Sequence, residues 1–360
     1  MGTILYILFA ILIFGVLIAI HELGHFVAAR LCRVRVLEFS MGMGPLLWQR
    51  ETKSGTQVSL RALPIGGFCA MEGEDEASPD PAAFNNAAVW KKLVILVAGA
   101  FMNFLLGFLL VIVCFSQVEA FTAPTITDFM EGCPYEGTDG LLEGDRFYKI
   151  NGERIYFSSD VATYLARGGG DTADIVLIRD GRKVRLDDYP MVPREYTDPE
   201  TGETTMKYGL YFGQQETGVL AKLKYSWYCA RDFVRMVRLG LTDLITGAAG
   251  IRQMTGVVGI VDMMAEVGTS SPTVYDGILN VVYLAAFIAV NLAVMNLLPI
   301  PALDGGRVFF LIVTWLLEKL FRRRIDPKYE GYVNTAGLVL LMGLMVYVMF
   351  NDIARIIRPG

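Results

Sequence analysis

Histidine is nearly missing from this chain: 360 residues carry 2. A metal site built from three histidines of one chain is therefore excluded. Cysteine offers no substitute. Cys32, Cys69, Cys114, Cys133 and Cys229 are scattered, with no Cys-x-x-Cys pair, so neither a disulfide framework nor a thiolate metal site is expected. Positive charge is not in excess: 32 Lys and Arg stand against 37 Asp and Glu, a net charge of −5. That balance argues against a nucleic-acid partner. Charged residues make up only 19% of the chain and hydrophobic ones 53%, with a mean hydropathy of +0.43. Such a composition excludes an ordinary soluble enzyme and points to a membrane protein. The first apolar run has no basic segment before it and no small-residue cleavage site after it, so a retained membrane helix is expected instead of a cleaved signal peptide.

Both histidines lie in one motif, His21-Glu22-Leu23-Gly24-His25, at the far end of the apolar run that begins near Ile4. Four-residue spacing on a helix puts both side chains on one face, within reach of one metal ion. Glu22 follows the first histidine and can take a proton from a water activated there without being a ligand itself. The plain alternative is a chance match with both histidines satisfied by packing. Against it, three ionisable residues in five positions of a membrane helix are costly and mark function. At 1.5 Å per residue His21 stands roughly 25 Å along the helix from Ile4, inside the membrane and close to one surface.

The pattern predicts a polytopic α-helical membrane protein with about four transmembrane helices, a membrane-associated β-hairpin or sheet, and an inserted α+β module. Residues 1–116 form an N-terminal membrane core, with helices expected over Ile4–Ala29 and Leu93–Phe115 and the β-segment at about 33–72. Arg30, Arg33, Arg35, Arg50, Lys53, Arg61, Lys91 and Lys92 make this side basic and hence cytoplasmic. Asn103, inside the second helix, reads as a helix–helix hydrogen bond. Residues 117–215 have soluble character, with Asn151-Gly152 and Asp180-Gly181 as hairpin turns, a short helix at Ser159–Arg167, and a polar excursion at 194–206. Residues 216–277 read as a helical connector lying along the surface, interrupted by Arg238, Asp243 and Arg252. Residues 278–360 form a C-terminal membrane core with helices over Ile278–Leu298 and Val333–Phe350. Val308–Phe321 between them is too short to span and reads as interfacial.

The third membrane helix ends in Asn296-Leu297-Leu298-Pro299-Ile300-Pro301-Ala302-Leu303-Asp304-Gly305-Gly306. Two prolines two apart break it, and freed backbone at membrane depth is tolerated only where it is buried or lines a wet cavity. Counting crossings, this end returns to the side of His25, and Arg307, Lys319 and Arg322–Arg324 match the basic loop after the first helix. A catalytic zinc takes three protein ligands and keeps one position open. With no third histidine a carboxylate must complete the set, and Asp304 is the best-placed candidate; the alternative for it is a turn residue before Gly-Gly.

HELGH in the first membrane helix and NLLPIPALDGG after a later one, with a PDZ-like module between them, resemble the site-2 protease family, most closely its bacterial RIP metalloprotease group. Leu63–Phe68 (LPIGGF) is similar to that family's membrane-associated β-loop, Ala98–Asn103 (AGAFMN) to its AG-Pro-x-x-N helix, and Thr125–Phe212 to its PDZ domain, with GDRFYKINGERI the strongest fragment. Ala100 stands where the family usually has Pro, and Thr255–Ile260 where Gly-Pro-Val-Gly is common.

The resemblance implies a zinc-dependent intramembrane endopeptidase with His21, His25 and Asp304 as Zn2+ ligands and Glu22 as general base. Asn296 and Asn291 would help hold the substrate. A helical substrate hides its carbonyls in its own hydrogen bonds, so pairing with a strand edge would keep it extended. Leu63–Met71, with Gly66 and Gly67, is the candidate edge, and a plain structural hairpin is the alternative. Single-pass membrane proteins, such as anti-sigma factors or remnant signal peptides, would be the substrates. The implied setting is a bacterial inner membrane, with lipid around the chain, the active site near the cytoplasmic face, and the PDZ-like module outside. That module would bind a new C-terminal peptide or exclude untrimmed proteins by size. The competing class is an inactive PDZ scaffold or a metal carrier; a carrier would need polar groups in several helices, and the second and fourth offer almost none.

Overall fold

The computed structural model describes residues 2–74, 76–197, 204–216, 218–250, 254–321 and 328–357. In chain order its elements are α1 (Gly2–Leu31), β1 (Val36–Glu51), β2 (Gln57–Met71), α2 (Val89–Ser116), β3 (Ala120–Phe129), β4 (Arg146–Ile150), β5 (Glu153–Arg154), α3 (Ser158–Arg167), β6 (Thr172–Arg179) and β7 (Arg182–Pro190). There follow β8 (Arg194–Thr197), β9 (Thr204–Lys207), β10 (Leu210–Glu216), α4 (Val219–Thr246), α5 (Val257–Ser270), α6 (Val274–Asn296), α7 (Asp304–Phe321) and α8 (Lys328–Ile357). Part of the polar excursion at 194–206, together with Arg252 and Arg322–Arg324, falls outside the described residues.

Among the described residues, four helices are long and apolar enough to cross a membrane: Gly2–Leu31, Val89–Ser116, Val274–Asn296 and Gly331–Ile357. The chain is thus a multi-pass membrane protein with sheet regions. It divides into two compact units, residues 1–114 with 230–360, and residues 115–229.

In the first unit, α1 is apolar on every face, as a helix enclosed by lipid and protein is. Its inner side packs with α5 and α6 through Tyr6, Ala10, Leu17, Met264, Ala265, Val281, Ala285, Ile288 and Ala289. α5 packs into this unit, with Met264 and Ala265 almost wholly buried. The charges that suggested a surface run, Arg238 and Asp243, belong to α4, and α5 starts afresh after Gly256. Its first turn is capped from far along the chain: the buried Asp352 of α8 accepts from the backbone N–H of Gly256 and of Gly259, both at 2.9 Å.

At the other end of α1 sits the β1–β2 sheet. Phe39 pairs with Cys69 on one side and with Val58 on the other, while Trp48 with Leu60 and Glu51 with Gln57 close the hairpin. The first half of β1 therefore lies between the two halves of β2. This folding back needs sharp bends. Gly42 (φ 85°) and Gly66 (φ 94°) supply them; a Cβ at Gly42 would stand 2.6 Å from the Leu63 carbonyl oxygen. The outer segment Gly67–Met71 has one flank paired, and no further strand among the described residues takes the other. Its inner face joins Ala28, Ala29, Val36, Phe39, Ile95 and Leu96 in a core shared with α1 and α2.

The second unit is a sheet of order β10-β3-β4-β6-β7, with β5 paired to β4. Ile126, Phe147, Ile150, Ile175 and Leu177 are buried, as are Val161, Tyr164 and Leu165 on α3. Both hairpin turns read from the sequence are present, with positive φ at Asn151-Gly152 (48° and 82°) and Asp180-Gly181 (50° and 75°), the conformation such pairs favour. The fully buried Asp145 accepts from Arg179 Nε at 2.8 Å and Nη2 at 2.7 Å, a bidentate pair across neighbouring strands.

Candidate metal centre

His21 and His25 sit within the last three turns of α1, and Asp304 is the first residue of α7. The Nε2 atoms of the two histidines are 3.2 Å apart, and Asp304 Oδ2 is 3.0 Å from one and 3.3 Å from the other. Among the described residues this is the one cluster of His, Cys, Asp or Glu that could hold a metal ion. Asp304 is placed by the broken end of α6. Gly305 and Gly306 let α7 start hard against that turn: a Cβ at Gly305 would lie 2.3 Å from the Leu298 carbonyl oxygen, and one at Gly306 2.3 Å from that of Ile300.

The donor set fits zinc on three counts. Ligand atoms held about 2.0–2.1 Å from a tetrahedral zinc ion stand roughly 3.3 Å from one another, close to the triangle observed. His25 Nδ1–H donates to the Ile95 carbonyl at 2.8 Å, which leaves Nε2 as a lone pair facing the cluster. Asp304 Oδ2 is buried with no hydrogen bond of its own although both imidazoles adjoin it. Lone pairs and a carboxylate oxygen converging away from water repel one another unless a cation lies among them.

Around the triangle, α2 comes very close. A Cβ at Gly24 would strike the Ala98 carbonyl oxygen at 2.4 Å, and one at Gly99 would lie 2.4 Å from His25 Nε2. Glu22 is half-buried beside the outer segment of β2: a Cβ at Gly67 would be 3.3 Å from Glu22 Cγ. The Nδ2 groups of Asn296 and Asn103 each lie 3.4 Å from His21 Nδ1. Asn103 thus makes the helix–helix contact expected of it, from α2 to α1, and the partner is a histidine of the candidate cluster. It lies three residues after the small stretch Ala98-Gly99-Ala100, which lets α2 approach. Asn291 is five residues before Asn296, about 140° around the same helix, and has no recorded contact with the three clustered side chains. Gly66 shapes the sheet, where a Cβ would meet Met43 Sδ at 2.5 Å.

Two further contacts frame the site. Glu74 accepts from the Met71 N–H at 3.2 Å and pairs with Arg307 at 2.5 Å, which ties the end of β2 to the first turn of α7. Burial, and beyond it the carboxylates of Glu22 and Glu74, push the Cys69 thiol up to about 12, so this nearby sulfur stays protonated and unreactive.

Comparison with known proteins gives the family. The model of peptidase family M50 matches residues 9–344. A Clostridium acetobutylicum protein named as a zinc metalloprotease is 36% identical over 354 residues, covering 96% of this chain and 97% of its own. Zinc metalloprotease RasP of Bacillus licheniformis is 29% identical over 433 residues, covering 96% and 98%. Regulator of sigma-W protease RasP of Bacillus subtilis is 28% identical over 429 residues, covering 96% and 97%. With a triangle of two imidazoles and a carboxylate that could hold a metal ion, four helices long and apolar enough to cross a membrane among the described residues, and a family match over nearly its whole length, the chain belongs to peptidase family M50, the site-2 proteases, and is a zinc metalloprotease.

Proposed function

We propose that this chain hydrolyses peptide bonds within or beside the transmembrane segments of single-pass membrane proteins. His21, His25 and Asp304 would hold the zinc and Glu22 would be the general base. The observation that carries this reading is the convergence of three ligand atoms from two distant stretches, with Glu22 one residue from the first of them. When bound, zinc supplies Lewis acidity and lowers the pKa of a coordinated water. Glu22 takes the proton of the attacking water on a carboxylate oxygen and returns it to the leaving amine nitrogen as the C–N bond breaks. The Asn296 amide donates to the substrate backbone. Gly67–Met71, with one flank free and Glu22 alongside, pairs with the unwound substrate as an added strand.

The name of the Bacillus subtilis relative ties that protein to sigma-W, which supports an anti-sigma factor as one substrate here; remnant signal peptides fit the same chemistry. The basic residues around the sheet support an inner-membrane setting with the site toward the cytoplasm. Residues 115–229, read as a PDZ-like module outside the cell, have β10 paired with β3 on one flank and with no other strand among the described residues, which supports capture of a newly made C-terminus as well as a size filter.

The test uses two variants of the full chain. Glu22→Gln should still bind about one zinc and fail to cut a transmembrane substrate; retained cutting removes Glu22 from its role. Asp304→Ala should lose zinc, and unchanged metal content would assign the third ligand elsewhere.

A further inference from the structure

The two metal-facing histidines differ in what holds their far nitrogens. His25 Nδ1–H has a carbonyl to donate to, that of Ile95 at 2.8 Å. For His21 to offer Nε2 to a metal, its Nδ1 must carry the proton and needs an acceptor as well. The groups recorded against it are the two asparagine amides, each presenting Nδ2 at 3.4 Å. Two N–H2 donors aimed at an N–H donor satisfy nothing. Meanwhile Asn103 Oδ1 is buried with no hydrogen-bond partner, on a side chain only 1% exposed. A half-turn of that amide exchanges its oxygen and nitrogen without moving the helix, and the two forms differ by hydrogen bonding alone.

We infer that Asn103 is the positioning residue for His21, its Oδ1 accepting the Nδ1–H and holding the imidazole with Nε2 toward Asp304. The half-buried Asn296 is then free to hold substrate. This rests on the zinc-protease reading and adds to it a residue that touches neither metal nor substrate. It also explains why a lone buried amide stands on α2 opposite the first histidine. Partners of this kind fix ring orientation, and losing one costs about ten- to a hundredfold in metal affinity.

The full-length chain in detergent tests this by zinc affinity, measured in competition with a chelator. Asn103→Asp keeps an oxygen acceptor in place and should bind zinc at least as tightly as the parent. Asn103→Leu keeps the shape alone and should bind about ten- to a hundredfold more weakly. Asn296→Leu should keep zinc affinity within about threefold while substrate cutting falls. Equal zinc affinity in Asn103→Leu and the parent overturns the inference. A parent chain that binds no zinc overturns the metal centre itself, a separate outcome. Histidine-selective 15N spectra of the zinc-loaded parent give a readout that needs no variant, since both histidines of the chain lie in this site. His21 should appear as the Nδ1–H tautomer with a slowly exchanging ring proton, and the opposite tautomer rejects the assignment even where Asn103→Leu does not fold.

Discussion

Gly99 decides whether the two imidazoles can face each other. A methyl group there would lie 2.4 Å from His25 Nε2 and 2.8 Å from His21 Cε1, and the His25 ring is held in place by the Ile95 carbonyl behind it. Gly99→Ala should therefore cost about 1–3 kcal/mol in overpacking, much of it as lost metal affinity, about ten- to a hundredfold. Zinc titration checks this, and an affinity equal to that of the parent would show that α2 gives way. Gly305→Ala should also shed zinc, since the added carbon meets backbone atoms of Leu297 and Leu298. At this scale the candidate ligands stood out in the sequence and their surroundings did not. His21, His25 and Asp304 carry chemistry that only a few residue types can supply. Gly99 acts through the absence of a side chain, and Asn103 through a hydrogen bond to a residue 82 positions away.

Among the elements, the contact most exposed to test is the ion pair of Glu74 with Arg307. It links the strand proposed to carry substrate with the helix that carries Asp304. The pair is mostly shielded, with side-chain exposures of 15% and 28%, so its loss should exceed that of a surface pair, on the order of 1–2 kcal/mol. Arg307→Gln and Glu74→Gln should each lower kcat/KM about five- to tenfold while zinc content stays at the parent level. The double variant should be no worse than the worse single one, since both remove the same link. Additive losses would show that the two residues act separately. Element types were largely readable: the apolar runs gave the four spans, and Asn151-Gly152 and Asp180-Gly181 gave the turns. What seats α5 was not readable from the sequence. Its cap is supplied by Asp352 of α8, and a cap brought by tertiary contact leaves no local mark. The doubled pairing of β1 was equally hidden, because alternation along one strand does not say how many neighbours it has.

For the molecule as a whole, one consequence follows from where the chemistry sits. His21, Glu22, His25, Asn103, Asn296 and Asp304 all belong to the first unit, and none to residues 115–229. The second unit is also an insertion with adjacent ends: its first strand pairs with its last, Ala120 opposite Glu216 and Thr122 opposite Gln214. Replacing residues 120–216 by a short Gly/Ser linker should therefore let α2 run on to α4 without strain, as loop length alone costs little free energy. That shortened chain should keep its zinc and cut a minimal transmembrane peptide within about threefold of the parent rate, because kcat depends on groups that contact the reacting bond. Loss of zinc on this deletion would mean that residues 120–216 shape the metal centre. Longer substrates then separate the two proposed duties of the module. If it filters by size, the shortened chain gains cutting of a substrate with its bulky outer domain intact. If it reads a new C-terminus, cutting of the trimmed substrate falls through a higher KM while the intact one remains uncut. Measuring both substrates on both chains distinguishes these outcomes, since the filter acts by excluding and the reader by binding.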